Sequence, residues 1–164
     1  MANLKRRMGL YLGVICLLLL SSGALSAQEE VQREVWLTFR QFHDLAANGQ
    51  PRAEAFITRY SRGVIIRDSA SLMLAQGFIK PQDRGRVEAQ IGEWLSDYQS
   101  QFALELWGAL SPAFKEFQLD KPRIEIEGER ALIHFQRNGQ PAQIEMLREG
   151  QGWKVGMMEY LQGP

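Results

Sequence analysis

The feature that most constrains the fold is a change of hydrophobic period near Pro122. Before this proline, apolar residues recur every three or four positions, whereas after it they alternate with polar residues. The first spacing is typical of amphipathic helices and the second of half-buried strands. The sequence therefore predicts an α+β fold, in which N-terminal helices pack on a C-terminal four-stranded antiparallel meander.

Three turns divide residues 123–160 into the four predicted strands. Gly128-Glu129 fits a two-residue turn that begins with glycine, and Asn138-Gly139 is a strong hairpin signal. A four-residue loop over 149–152 is predicted to connect the last two strands. Because the turns fix strand register, the sequence predicts these cross-strand pairs: Ile126–Ala131, Ile124–Ile133, Arg123–His134, Phe135–Ala142, Ile133–Ile144, His134–Gln143, Met146–Val155 and Ile144–Met157.

Two helices are predicted at the start of the helical region. The first has one apolar stripe and ends at Asn48-Gly49, a common helix stop. Its stripe consists of Val31, Val35, Phe39, Phe42 and Ala46. The second begins at Pro51, since proline suits the first turn of a helix, and its predicted apolar face consists of Ala53, Phe56, Ile57 and Tyr60.

The rest of the helical region predicts a small strand and two further helices. The β-branched run 64–66 predicts the strand, and Asp68 or Ser69 is expected to cap a brief helix that ends near Gly77. The longest helix is predicted from Asp83 to Gly108, and 111–112 (Ser-Pro) is expected to start one more turn. Its apolar stripe consists of Val87, Ile91, Trp94, Tyr98 and Phe102.

The first 27 residues have the order of a signal peptide. Lys5, Arg6 and Arg7 precede an apolar run over 9–20, and small residues follow that run. The run is shorter than the roughly 20 apolar residues that span a bilayer. We therefore predict cleavage after Ser26 or Ala27, a periplasmic location, and one mature domain over residues 28–164.

Composition narrows the chemistry of the mature region. The only cysteine, Cys16, lies in the predicted signal peptide, and Ile15 before it argues against a lipoprotein signal. The mature region is therefore predicted to have no disulfide and no cysteine metal ligand. Three of the 19 Lys and Arg residues lie in the signal peptide, which leaves 16 basic against 19 acidic side chains, a net charge of −3. This balance argues against a nucleic-acid partner.

The order of elements, with a final Gly152-Trp153-Lys154-Val155, resembles the nuclear transport factor 2-like superfamily. The resemblance covers most of residues 30–160. It implies an α+β cone whose curved sheet wraps a long helix and often leaves a pocket. The superfamily includes isomerases, dehydratases, cyclases, carriers and structural modules, so the resemblance by itself assigns no function.

The chain is also similar to periplasmic phospholipid carriers of the toluene-tolerance type. Those proteins share the order of helices before strands and a Trp-Lys pair near the end. Gly156-Met157 stands here where those carriers have Tyr-Asp, and this chain is shorter. A carrier of a lipid or another apolar ligand is therefore an alternative hypothesis.

Two groups of residues on the predicted sheet are candidates for binding. On the inner face, Phe135, Met146, Trp153 and Met157 would border any pocket between sheet and helix, although a filled core explains them as well. On the outer face, Leu132, His134, Leu147 and Met158 are candidates for contact with a protein partner or a second copy. Trp153 is expected to be mainly structural, and Lys154 is predicted to point outward near Glu127 or Arg130.

Catalytic and metal-binding candidates are few. His43 lies beside the first apolar stripe and is expected to be a hydrogen-bonded helix histidine, while His134 lies on the outer sheet face. No metal site and no cofactor is predicted, because the two histidines are far apart and no Asp-rich loop is present. We therefore predict a non-enzymatic binding or interaction domain; a pocket enzyme of the isomerase or dehydratase type is a further alternative.

Overall fold

The computed structural model describes residues 27–162, so the predicted signal peptide lies outside the described residues except for Ala27. The chain divides into two compact units, Met1–Glu34 and Val35–Pro164. The helices are α1 (27–47), α2 (Arg59–Ala75), α3 (Arg84–Ser96), α4 (Gln101–Lys115) and α5 (Met157–Gln162). The strands are β1 (Phe117–Glu127), β2 (Arg130–Arg137), β3 (Gln140–Glu149) and β4 (Gly152–Val155). None of the described helices is long and apolar enough to cross a membrane.

The sheet confirms the predicted α+β class and nearly all of the predicted register. Its strand order is β1-β2-β3-β4, and Ile133 lies between Ile124 and Ile144 on the neighbouring strands. Asn138 and Gly139 have φ values of 51° and 75°, as a tight hairpin with two left-handed residues requires. Of the predicted pairs, Ile144–Met157 alone does not form.

The last predicted strand is too long. β4 ends at Val155, and Met157 begins α5 instead of pairing with Ile144. The Gly156 N–H still donates to the Glu145 carbonyl at 2.8 Å, in register with the β3–β4 ladder, and the chain then turns into α5. The preceding loop is shorter than predicted, since Glu149 pairs with Gly152 and only residues 150–151 form the turn. Both loop lengths give the same register.

The helical region begins as predicted and then differs. Val35, Phe39, Phe42 and Ala46 are fully buried, as their stripe predicts. The second predicted helix is instead a 3₁₀ helix, Pro51–Phe56, after which the backbone is extended. It ends there because Ile57 forms a parallel bridge with Val155 of β4.

Helix α2 replaces the predicted small strand and brief helix. It begins directly after Thr58, whose hydroxyl accepts a hydrogen bond from the Ser61 N–H at 3.0 Å and so caps the helix. Residues 64–66 are helical because burial of Val64 and Ile65 on one helix face outweighs their preference for strands. The predicted start at 68–69 is wrong, whereas the predicted end near Gly77 is confirmed.

The predicted long helix from Asp83 to Gly108 is two helices. The backbone of Asp97 is extended, and Ser100 caps α4 by accepting a hydrogen bond from the Ala103 N–H at 3.1 Å. Helix α4 continues past Gly108 and contains Pro112, so 111–112 does not start a new turn. The periodic apolar stripe continues across the break, and the sequence pattern therefore predicted one helix.

An aromatic cluster joins α1 and α4 to the inner face of the sheet. The ring centroid of Phe42 lies 6.3 Å from Trp107 and 5.3 Å from Phe114, both edge-on. Phe39 lies 6.2 Å from Phe135 of β2. Edge-on rings 4.5–7 Å apart are a favoured aromatic geometry. This cluster holds the helices against the strands that carry the candidate site.

An ion pair fixes the junction of α4 and β1 to the end of β2. The Arg137 Nε donates to a Glu116 carboxylate oxygen at 2.6 Å, and the Arg137 guanidinium lies 5.9 Å from the ring centroid of Tyr160 in α5. Hydrogen bonding from Arg137, and then from Asn138, lowers the pKa of Glu116. The same hydrogen bond with Glu116 raises the pKa of Arg137.

This pair predicts a small acid sensitivity of folding. A lowered folded-state pKa means that folding favours the charged carboxylate of Glu116. The stabilisation is present above about pH 4.3, the ordinary pKa of glutamate, and is lost as pH falls through the lower folded-state pKa. We expect the melting temperature of Glu116→Gln to fall less over this range than that of the unaltered protein. Glu127→Gln, at an exposed position of β1, is the control; equal acid sensitivity of Glu116→Gln and the control would contradict the prediction.

Candidate functional site

Strand β1 contains a wide bulge opposite β2. Gln118 pairs with Gln136 and Arg123 pairs with His134, so the four residues 119–122 lie opposite Phe135 alone. Pro122 belongs to this bulge and has no N–H to donate to the ladder. Bulges release extra residues from pairing and redirect their side chains. This bulge therefore turns polar side chains away from the regular sheet.

The bulge borders a cleft of about 450 Å³, named the bulge cleft below. Small-molecule sites in proteins have volumes of roughly 300–1,000 Å³. The lining consists of residues from β1, β2 and the start of β3: Gln118, Asp120, Lys121, Arg123, His134, Phe135, Gln136 and Pro141. Acidic and basic side chains, two amides and an imidazole converge there beside a phenylalanine ring and a proline ring. The cleft is thus suited to a small polar ligand with some apolar surface.

The bulge cleft contains charged side chains of both signs. Arg123 is held by Glu125, with 2.5 Å between guanidinium nitrogen and carboxylate oxygen. Lys121 and Asp120 are exposed, and neither has an ion-pair partner within residues 27–162. Glu125 offsets the charge of Arg123, so Lys121 is the cation of the lining that has no ion-pair partner among the described residues and can meet an incoming anion.

The imidazole of His134 lies between the charged residues of β1. Its Nε2 atom is 3.5 Å from the Glu125 Oε2 atom, which is too long for a well-formed hydrogen bond. Nε2 is buried and has no hydrogen-bond partner among the described residues. Arg123 lies directly across the strand pair, as the register predicted. His134 is therefore a wall of the cleft that lies beside Glu125 and across the strand pair from Arg123.

The four predicted inner-face residues form part of the core. Phe135, Met146, Trp153 and Met157 are 6%, 0%, 2% and 0% exposed. Phe135 also borders the bulge cleft, and Met157 belongs to α5 rather than to a strand. The structure thus brings Phe135 and His134 together at one cleft, although the sequence placed them on opposite faces of the sheet.

Three of the four residues predicted for the outer face lie on strands of the sheet. Leu132, His134 and Leu147 are half-buried on β2 and β3, whereas Met158 lies on α5. The prediction that all four share one sheet face is therefore wrong for Met158, because the chain leaves the sheet after Val155. An ion pair between Arg130 and Glu145 lies across the strands that carry Leu132 and Leu147.

Two further side-chain predictions can be compared with the structure. His43 Nε2 donates to the Phe114 carbonyl at 3.0 Å, which confirms a hydrogen-bonded helix histidine. Lys154 does not lie free near Glu127 or Arg130, because its Nζ donates to the Ala55 carbonyl at 2.5 Å. Lys154 thereby ties β4 to the end of the 3₁₀ helix.

Two other clefts offer less to a ligand. One of about 460 Å³ lies between residues 50–52 and 96–99, where the Asp97 carboxylate already accepts from the Gln99 N–H at 3.0 Å. The other, of about 240 Å³, contains charges that pair with each other, including Arg62 Nε and Glu54 Oε1 at 2.8 Å. No group of three or more His, Cys, Asp or Glu side chains within the described range is arranged to hold a metal ion.

Sequence reasoning missed the β1 residues that line the bulge cleft. Gln118, Asp120 and Lys121 precede the predicted start of the strand, which was placed after Pro122. A proline within a strand is a known sign of a bulge or an edge, and this signal would have extended β1 toward its true start at Phe117.

Fold and site together define an α+β domain with a polar cleft at a strand bulge. Comparisons with protein-family models, with curated proteins and with solved structures each find no match to this chain. The similarity to the nuclear transport factor 2-like superfamily therefore stays a prediction from element order and the final Gly152-Trp153-Lys154-Val155 sequence.

Proposed function

We propose that the protein is an exported, non-enzymatic binding domain that takes a small anionic ligand in the bulge cleft. The observation that carries this proposal is the convergence of Lys121, Arg123 and His134 beside Phe135 in a space of ligand size. The proposed periplasmic location follows from the N-terminal sequence. A ligand enters this cleft directly from solvent, without crossing the core.

The charge distribution favours a ligand with a carboxylate or phosphate group. Lys121 supplies a cation that can bind an anion without first breaking an ion pair, since it has none in the described part of the chain. Arg123 adds positive charge while Glu125 keeps it oriented. Charged hydrogen bonds of this type are shorter and stronger than neutral ones. Pro141 is exposed and provides apolar surface for the body of the ligand, beside the edge of the nearly buried Phe135.

A binding role fits this cleft better than catalysis. An acid–base catalyst needs a proton-transfer group within hydrogen-bond reach of the substrate. The Nε2 atom of His134, the cleft's only imidazole, is buried against Glu125. Asp120 is solvent-exposed on the bulge. The cleft therefore supports recognition of charge and shape.

The proposal predicts that either of two substitutions in the cleft weakens binding of the same ligand. Native mass spectrometry of protein purified gently from the exported fraction should show a small bound anion. Lys121→Glu reverses the accessible charge, and Gln136→Trp fills the cleft from an exposed position of β2. We expect each change to reduce occupancy by about tenfold or more, the scale of one lost charged hydrogen bond.

The matched control is Lys115→Glu, the same charge reversal at an exposed position in the last turn of α4. This variant should retain the adduct, and its melting temperature should fall only slightly, because a carboxylate in the last turn of a helix is mildly unfavourable. An adduct that survives both cleft variants, or that is lost equally in Lys115→Glu, would place the ligand elsewhere and refute the proposed site.

A further inference from the structure

The connection between α2 and α3 presents two large apolar side chains to solvent. Phe78 is 72% exposed and Leu72 is 59% exposed, more than any other large hydrophobic residue in the described range. Single exposed apolar residues are common on protein surfaces. These two, however, belong to one short segment, residues 72–80, and the most exposed one is aromatic.

An ordered helix end holds Phe78 in this position. The Phe78 N–H donates to the Met73 carbonyl at 2.9 Å, and the Gly77 N–H donates to the Leu74 carbonyl at 3.0 Å. Gly77 has a φ of 75°. This pattern is a Schellman motif, in which the residue after the glycine lies beside the last helical turn. The motif therefore directs Phe78 toward the end of α2 that carries Leu72.

The residue after Phe78 is anchored as well. Ile79 packs against a small core cluster formed by Ala70, Val87 and Ile91. The backbone is therefore fixed on both sides of Phe78, by hydrogen bonds before it and by apolar packing after it. The exposure of the ring is a property of the ordered fold at this corner.

Basic residues border the apolar segment. Lys80 is the only charged residue between positions 69 and 82, and Arg84 and Arg86 occupy the first turn of α3. The first turn of a helix favours acidic side chains, because its free N–H groups carry partial positive charge. Two arginines at this position therefore oppose the local preference of the helix, and an Arg84 nitrogen reaches the Ser71 hydroxyl, next to Leu72, at 3.2 Å.

Acidic neighbours offset only part of this charge. Arg84 Nε lies 2.8 Å from a Glu88 carboxylate oxygen, and an Arg86 nitrogen lies 3.1 Å from an Asp83 carboxylate oxygen. Lys80 has no ion pair within residues 27–162. The corner thus combines an apolar tip with a basic border that remains positive at Lys80.

We propose that this corner, defined as Leu72, Phe78, Lys80, Arg84 and Arg86, docks the protein on an anionic phospholipid surface. Apolar side chains with basic neighbours are typical of segments that lie at a membrane surface, where the rings enter the headgroup boundary and the cations stay near phosphates. Aromatic residues and arginine also suit a protein interface, but lysine is depleted there, and the cation of this corner without an ion pair among the described residues is Lys80. The docking corner shares no residue with the bulge cleft and is independent of the function proposed for it.

Vesicle sedimentation tests this inference with the full chain. The vesicles contain phosphatidylcholine with about one third phosphatidylglycerol, and phosphatidylcholine alone serves for comparison. We expect preferential binding to the anionic vesicles that weakens with added salt. Phe78→Ser and Lys80→Glu should each reduce partitioning by about tenfold or more, whereas Phe78→Trp should retain it.

The matched control is Leu104→Ser, which removes an apolar side chain that is 46% exposed on α4. All variants share the same N-terminal sequence, so any membrane affinity of that sequence cancels in the comparison. Phe78→Ser should melt like the control, since its side chain is mostly solvated. Equal partitioning of Phe78→Ser and Leu104→Ser would overturn the inference. A change in the sedimentation coefficient of Phe78→Ser without vesicles would also overturn it, in favour of contact with a second copy.

Discussion

Phe42→Ala is expected to unfold the protein or to lower its melting temperature by about 10 °C or more. Phe42 is fully buried and lies edge-on to both Trp107 and Phe114. Removing a buried phenylalanine typically costs about 3–5 kcal/mol, because a cavity replaces its contacts. Residues 28–164 contain no cysteine, so no disulfide compensates, and whole domains are stable by only about 5–15 kcal/mol. Thermal unfolding followed by circular dichroism measures the effect.

The control for this prediction lies on the same helix. Leu37 is 50% exposed on α1, so Leu37→Ala should change the free energy of unfolding by less than about 1 kcal/mol. A Phe42→Ala protein that melts like Leu37→Ala would show that the aromatic cluster does not hold α1 and α4 to the sheet.

Trp153→Ala is expected to have the second large effect. Trp153 is 2% exposed on β4, and Arg148 lies over its ring at 5.9 Å from the centroid. Its replacement by alanine should cost about 3–5 kcal/mol, again through a cavity in the core. Urea unfolding should show a lower midpoint with an unchanged slope.

Two milder variants separate structural from binding roles of this position. Trp153→Phe keeps much of the ring volume and removes an indole N–H that has no hydrogen-bond partner among the described residues, so its cost should be below about 2 kcal/mol. Lys154→Ala loses the hydrogen bond to the Ala55 carbonyl, which should cost about 1 kcal/mol. If Trp153→Ala remained fully stable but lost a bound ligand, Trp153 would be a binding residue and the structural interpretation would be wrong.

The sheet was largely predictable from local sequence. Turn residues such as Asn138 and Gly139 set the register, and alternation then placed Ile133 opposite Ile124 and Ile144. A one-residue slip would move every apolar side chain to the other face, so few alternatives satisfied the pattern. What failed was the length of the last strand, because the alternation of apolar residues continues to Met157 whereas the chain turns into α5 there.

The helical half was less predictable because its boundaries depend on tertiary contacts. Thr58 caps α2 only because the preceding Ile57 is held in a bridge with Val155, about 100 positions along the chain. The β-branched residues at 64–66 favour strands locally, but they are helical where one face is buried. The apolar stripe from Asp83 to Gly108 continues across the break at Asp97. Periodicity alone therefore does not show that one helix ends and another begins there.

The candidate site shows the same division between sequence and structure. The sequence identified His134 and Phe135 as separate candidates on opposite faces of one strand, and alternation offers no reason to join them. The bulge opposite Phe135 joins them, because four residues of β1 face one residue of β2 and open a cleft there. Local sequence thus determined the fold class, the turns and the strand register, which depend on neighbouring residues. Tertiary structure decided where α2 begins and where the bulge cleft opens, because each depends on contacts between segments that are distant in sequence.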